Sequence, residues 1–98
     1  MEYNVVSNAY FCGHVQGGYP YNCYKSLSKV AGCQFECTHA INCIGYSEGD
    51  GFCNLIPSLK HCPEGWSHGS STYPVATNSE DLVASSLSGY NCVTKGRH

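Results

Sequence analysis

The chain has 98 residues, eight of them cysteines, with five basic and seven acidic side chains for a formal charge of −2. One domain fits that length, and 18 Ile, Leu, Val and Phe residues are a small apolar stock for a fold held by burial alone, while the near-neutral charge argues against disorder. These figures exclude cytosolic multidomain enzymes, coiled coils, membrane-spanning helices and strongly basic nucleic-acid binders, and they point to a small domain cross-linked in an oxidising compartment.

At the N-terminus, Met1-Glu-Tyr-Asn4 has neither the basic region nor the apolar run of a signal peptide. A secreted protein would therefore have lost its signal, with Met1 an added residue. No apolar run approaches the length needed to cross a bilayer, so membrane insertion is not expected. No Asn-x-Ser/Thr glycosylation sequon occurs either.

Tyrosine is in excess. Eight tyrosines and a single tryptophan, Trp66, are present, and Tyr19-Pro-Tyr21-Asn-Cys-Tyr24 is a dense aromatic cluster beside a cysteine. Tyr and Trp present rigid faces with a polar tip, which suits sugars and protein partners alike. Tyr19, Tyr21, Tyr24, Trp66 and Tyr73 are the candidate ligand-binding residues, with half-buried packing as the competing role for each.

The next segment reads as a helix. Ser26 or Ser28 can cap its start, and Leu27, Val30, Cys33, Cys37 and Ile41 recur at three- and four-residue steps. Gly32 inside it costs about 1 kcal/mol, so packing and cross-links must hold this helix in place. Lys25 and Lys29 lie four apart on the same segment. Two short β-favouring runs follow, Cys43–Tyr46 and Phe52–Ile56, and the five residues between them contain two glycines, the pattern of a hairpin. One helix face thus carries two cysteines and each hairpin strand carries one, an arrangement for stapling the helix across the hairpin with two bridges.

The stretch Cys33-Gln-Phe-Glu-Cys37 … Cys43-Ile-Gly-Tyr46 … Gly51-Phe-Cys53-Asn-Leu55 resembles the core of a PAN/apple domain, whose motifs are a C-x-x-x-C helix, a C-x-[GA]-[FY] strand and a G-x-C-x-L strand. The resemblance covers residues 26–58. It implies an α+β fold of one helix packed on a curved antiparallel sheet, with Cys33–Cys53 and Cys37–Cys43 as core bridges. It also implies a Cys12–Cys92 bridge joining the chain ends. Cys23 and Cys62, outside the family's six-cysteine pattern, remain as a pair. Tyr46 follows the strand motif and is expected to face the core.

Residues 57–79, rich in Ser, Gly, Pro, His and Thr, read as surface loops. A turn at Asn78 or Ser79, followed by a strand into Cys92, closes the chain. The whole of residues 1–98 is read as a single domain.

Chemistry-bearing motifs are absent. The sequence has no C-x-x-C zinc knuckle, and its histidines at 14, 39, 61, 68 and 98 are scattered, so disulfides rather than a metal are expected. Gly-x-Ser-x-Gly, His-Glu-x-x-His and a phosphate-binding loop are likewise missing. Cys37-Thr-His39 mimics an imidazole-activated thiol, but a bridged Cys37 and a solvent-facing His39 account for it. Glu48-Gly-Asp50-Gly offers two carboxylates where calcium needs six to eight oxygens, and a hairpin turn explains it better. Lys25, Lys29, Lys60, Lys95 and Arg97 are too few for heparin-type or nucleic-acid binding.

The sequence therefore reads as a secreted or cell-surface, non-enzymatic binding module without a cofactor, recognising a carbohydrate or an extracellular protein in adhesion. The alternatives are a protein–protein assembly module, or a small effector that inhibits a protease or blocks a receptor.

Overall fold

The computed structural model describes residues 2–96; Arg97 and His98, counted above among the basic and imidazole groups, lie outside them. The strands are β1 (Tyr3–Ser7), β2 (Tyr10–His14), β3 (Cys23–Ser26), β4 (Cys43–Gly49), β5 (Phe52–Pro57), β6 (Ser67–His68), β7 (Leu82–Ser88) and β8 (Tyr90–Lys95), with one α-helix, α1 (Cys33–His39). Six strands form a sheet in the order β1-β8-β4-β5-β3-β6, and β2 pairs with β7 in a separate two-stranded ribbon. Every pairing is antiparallel.

Strand alternation divides the core in two. On one sheet face Tyr46, Cys53, Leu55 and Val93 pack with Cys33 and Cys37 of the helix. On the other, Ile56 and Cys92 pack with Cys12 and Leu82 of the ribbon and with Ala76. Five consecutive residues of β5, Cys53 to Pro57, are buried because helix and ribbon cover opposite faces of it. The result is a small α+β domain of three layers.

Four disulfides cross these layers: Cys12–Cys92, Cys23–Cys62, Cys33–Cys53 and Cys37–Cys43. They are the pairs named above. Cys33–Cys53 and Cys37–Cys43 staple α1 across the β4–β5 hairpin; Cys12–Cys92 joins the ribbon to the sheet. Tyr46 is buried as expected, and its hydroxyl donates to Gln34 Oε1 at 3.2 Å. Burial, with Glu48 and Tyr3 nearby, raises its pKa above the ordinary phenol value.

The helix is shorter than its periodicity predicts. Leu27–Lys29 form a separate 3₁₀ turn, and α1 begins only at Cys33, with Gly32 as N-cap at φ 153°. That backbone conformation ends the preceding segment, so Gly32 is a start signal rather than a costly interior residue, and neither Ser26 nor Ser28 caps α1. Glu36 reaches back to accept from the Ala31 N–H at 3.2 Å. Ile41, expected on the apolar helix face, lies beyond the helix and is 95% exposed. The helix is also tied to the sheet from its C-terminal half, where the half-buried Lys95 ammonium donates to the Cys37 carbonyl at 2.7 Å.

The hairpin loop is shorter than predicted as well. Gly49 pairs with Phe52, so only Asp50 and Gly51 turn, at φ 52° and 82°. An Asp-Gly pair supplies the two positive φ values that a tight antiparallel turn requires. Ser47, Glu48 and Gly49 belong to β4 because β8 pairs them from the other side, opposite Cys92, Asn91 and Tyr90. The last segment forms two strands rather than one. Asn78 caps the Ser79–Asp81 turn by accepting from the Glu80 N–H at 3.0 Å, and Gly89, at φ 96°, separates β7 from β8. Residues 57–79 are largely loop, but β6 adds to the sheet edge against Cys23 and Tyr24.

Candidate functional site

A groove of about 270 Å³ opens where the ribbon, the edge of the sheet and the 69–73 loop meet. Its aromatic walls come from Phe11 of β2, Tyr19 and Tyr73 of the loops, and Tyr24 of β3. Phe11 packs edge-on against Tyr19 at 5.7 Å and against Tyr90 at 4.9 Å, and Tyr19 meets Tyr73 at 5.8 Å. Tyr24 is held edge-to-face by Phe52 at 5.9 Å. These contacts fix the rings before any ligand arrives.

Two buried carboxamides add the polar part. Asn22 donates one N–H to the Pro20 carbonyl at 3.0 Å, and Asn54 donates one to the Ser47 carbonyl at 3.3 Å. Each amide retains a second N–H and an oxygen acceptor. Gly69 lies against Asn22, and a side-chain Cβ there would stand 3.2 Å from its amide atoms; the Gly69 N–H also donates to the Asn22 backbone carbonyl at 3.0 Å. Ser70 and Leu87 complete the walls.

The structure thus brings together Tyr19, Tyr24 and Tyr73 of the five residues singled out in the sequence. Tyr21 is buried elsewhere, stacked on His68 at 6.0 Å with its hydroxyl 3.7 Å from Cys62 Sγ and Lys60 Nζ 5.8 Å from its ring. It packs the Cys23–Cys62 corner. Trp66 lies half-buried against the helix-side core with Lys25 Nζ 5.6 Å from its ring. Sequence reading missed Phe11, Asn22, Asn54 and Gly69. The signal for Asn54 was present: a lone carboxamide in the run Cys53-Asn-Leu-Ile56 of a buried strand must have a partner or a purpose.

A second cleft, about 280 Å³, is bounded by Ala40, Ile41, Leu55, Pro57 and Pro63, with His39 and His61 among its walls. None of the singled-out aromatics reaches it. Among the described residues no cluster of His, Cys, Asp or Glu is arranged to hold a metal, no cysteine is free, and no helix is long and apolar enough to cross a membrane. Comparison with protein-family models, with curated proteins and with solved structures finds no match.

Proposed function

We propose that this chain is a PAN/apple-like, non-enzymatic binding module of the extracellular space, and that it recognises carbohydrate in the aromatic groove. The observation that carries this reading is the convergence of Tyr19, Tyr24 and Tyr73 with Asn22 and Asn54 around one opening. Sugar rings combine an apolar C–H face with a rim of hydroxyls. Fixed aromatic faces take the first, and carboxamides with both donor and acceptor capacity take the second. The helix stapled across a hairpin by Cys33–Cys53 and Cys37–Cys43 supports the family reading, and four bridges support residence in an oxidising compartment. A glycan array with the folded domain tests the function. Tyr73→Ala should remove the signal while leaving the fold intact, and a silent array for the unaltered domain would defeat the reading.

Protein–protein assembly is the second reading, favoured by the exposed Ile41, which lines the 280 Å³ cleft with His39, and by the exposed Phe35, whose ring lies 4.1 Å from that of His39. A tight partner whose binding is lost on Ile41→Asp, together with a silent array, would select it.

A further inference from the structure

Tyr24 has a second neighbour besides the groove. A shelf of about 220 Å³ is formed by Tyr24, Phe52, Lys25, Lys29, Ser26 and Ser67, so one exposed ring borders both openings. The sequence reading placed Lys25 and Lys29 on one helix. In the structure Lys25 lies in β3 and Lys29 in the 3₁₀ turn, and the shelf is what brings them together.

The other described lysines are committed. Lys60 donates to the Ser71 carbonyl at 2.6 Å, and Lys95 donates to the Cys37 carbonyl at 2.7 Å. Lys29 makes no hydrogen bond or ion pair among the described residues, and Lys25 has only the distant face of Trp66 at 5.6 Å. Among the described residues no carboxylate lines the shelf. On a chain with net negative charge, two lysines that line one shelf and have no ion pair among the described residues offer their charge to an anion placed there. Two charges suit one anionic group, not a polyanion.

We infer that the shelf receives a single anionic substituent, a carboxylate or a sulfate ester, on the sugar next to the one held in the groove, so that the ligand class is an acidic oligosaccharide. Tyr24 stands between the two subsites. Lys25 and Lys29 supply the charge, the Ser67 hydroxyl supplies a neutral donor, and the Ser26 hydroxyl, 3.0 Å from Ser28 Oγ, completes the polar rim. This inference rests on the carbohydrate reading of the groove.

The test uses an array with three arms built on common cores: the neutral oligosaccharide, the same core ending in a sialic acid carboxylate, and the same core bearing one sulfate ester. Acidic forms in at least one arm should bind the unaltered domain about three- to tenfold more tightly than the neutral core. Lys25→Gln with Lys29→Gln should erase that preference and leave neutral-core affinity within about twofold, and Lys29→Glu should turn it into discrimination against acid. Neither lysine is a member of the two buried clusters, and only Lys25 borders one, through Trp66; unchanged thermal unfolding of the variants verifies the fold. Equal binding of neutral and acidic forms would overturn the inference while leaving the groove reading intact. Binding of no glycan at all would overturn both.

Discussion

Ser47 Oγ accepts a hydrogen bond from the Cys12 backbone N–H at 2.9 Å, inside the core and beside the disulfide that joins Cys12 to Cys92. Cys92 is the residue that Ser47 faces across the β4–β8 ladder. A hydroxyl on the sheet thereby satisfies a ribbon N–H at the point where sheet and ribbon are covalently joined. Ser47→Ala leaves that N–H buried without an acceptor, which costs about 1–3 kcal/mol. Urea unfolding under non-reducing conditions measures the loss, and a midpoint unchanged from the parent would refute this role.

The disulfides should differ in worth by the loops they close. Cys12 and Cys92 are separated by 80 positions, for which chain entropy gives about 4.5 kcal/mol; Cys37 and Cys43 are separated by 6, which gives about 2.2 kcal/mol. Since all four sulfurs are buried, the packing loss is similar in each pair. Replacing both members of a pair by Ser should therefore destabilise the Cys12–Cys92 variant more, by about 2 kcal/mol. Denaturant titrations of the two variants compare them, and the reverse order would show that strain or residual structure dominates.

Gly49 is constrained by its neighbour strand rather than by its turn. A Cβ there would collide with the Gly89 carbonyl oxygen and stand 2.8 Å from the Tyr90 Cα. Both obstacles are backbone, so Gly49→Ala must push β4 and β8 apart, at a cost of about 1–3 kcal/mol. Gly51→Ala is the control. Among the described residues nothing stands within 4 Å of a Cβ there, but its φ is 82°, a conformation that costs an L-residue about 1–2 kcal/mol. Hydrogen exchange separates them: Gly49→Ala should loosen the β4–β8 amides, whereas Gly51→Ala should loosen only the turn.

These glycines also show where the sequence was legible. The C-x-x-x-C spacing and the β-favouring runs placed the helix and hairpin because local periodicity encodes them. The length of β4 was hidden. Ser-Glu-Gly reads as loop by composition, and it becomes strand because it is paired on both sides, with Asn54, Cys53 and Phe52 of β5 and with Cys92, Asn91 and Tyr90 of β8, which lies more than forty residues away. The shortened helix had a local cause, since Gly32 adopts a backbone angle that a helix interior never uses. At the groove the tyrosines announced themselves by density, yet Tyr21 and Tyr24, three apart, part company because Tyr21 precedes β3 and packs on Cys62 and His68 while Tyr24 lies within the strand. Asn22, Phe11 and Gly69 converge only through tertiary pairing, which no spacing records.

A pH effect is expected at Asp81. Its carboxylate accepts from the Thr77 backbone N–H at 2.9 Å and from the Thr77 hydroxyl at 3.1 Å. These bonds, the backbone one foremost, hold its pKa below the ordinary aspartate value. Because the folded value is the lower one, the stabilisation is complete above the ordinary aspartate range and is lost as pH falls through the lowered folded value. Thr77 amide resonances should shift along that acid limb, and Asp81→Asn should abolish the titration. An unaltered Thr77 profile in the Asn variant would refute the linkage.

The sharpest probe of the groove adds a single methyl group. Gly69 lies at ordinary φ, and a Cβ would approach Asn22 Nδ2 and Oδ1 at 3.2 Å, crowding the amide that the carbohydrate reading assigns to the ligand hydroxyls. Gly69→Ala should leave the four bridges and the thermal midpoint nearly unchanged, because the groove is open and its floor amide can give by a few tenths of an ångström. Sugar affinity should fall by about tenfold, the loss typical of disturbing a central polar contact. Tyr73→Ala removes the facing wall and should lose at least as much, whereas Tyr21→Ala should act mainly on stability, since Tyr21 packs the Cys23–Cys62 corner outside the groove. Calorimetric titration and thermal unfolding of the three variants separate these outcomes. If Gly69→Ala bound every array-positive glycan as the parent does, Asn22 would be structural and recognition would have to lie elsewhere on the surface.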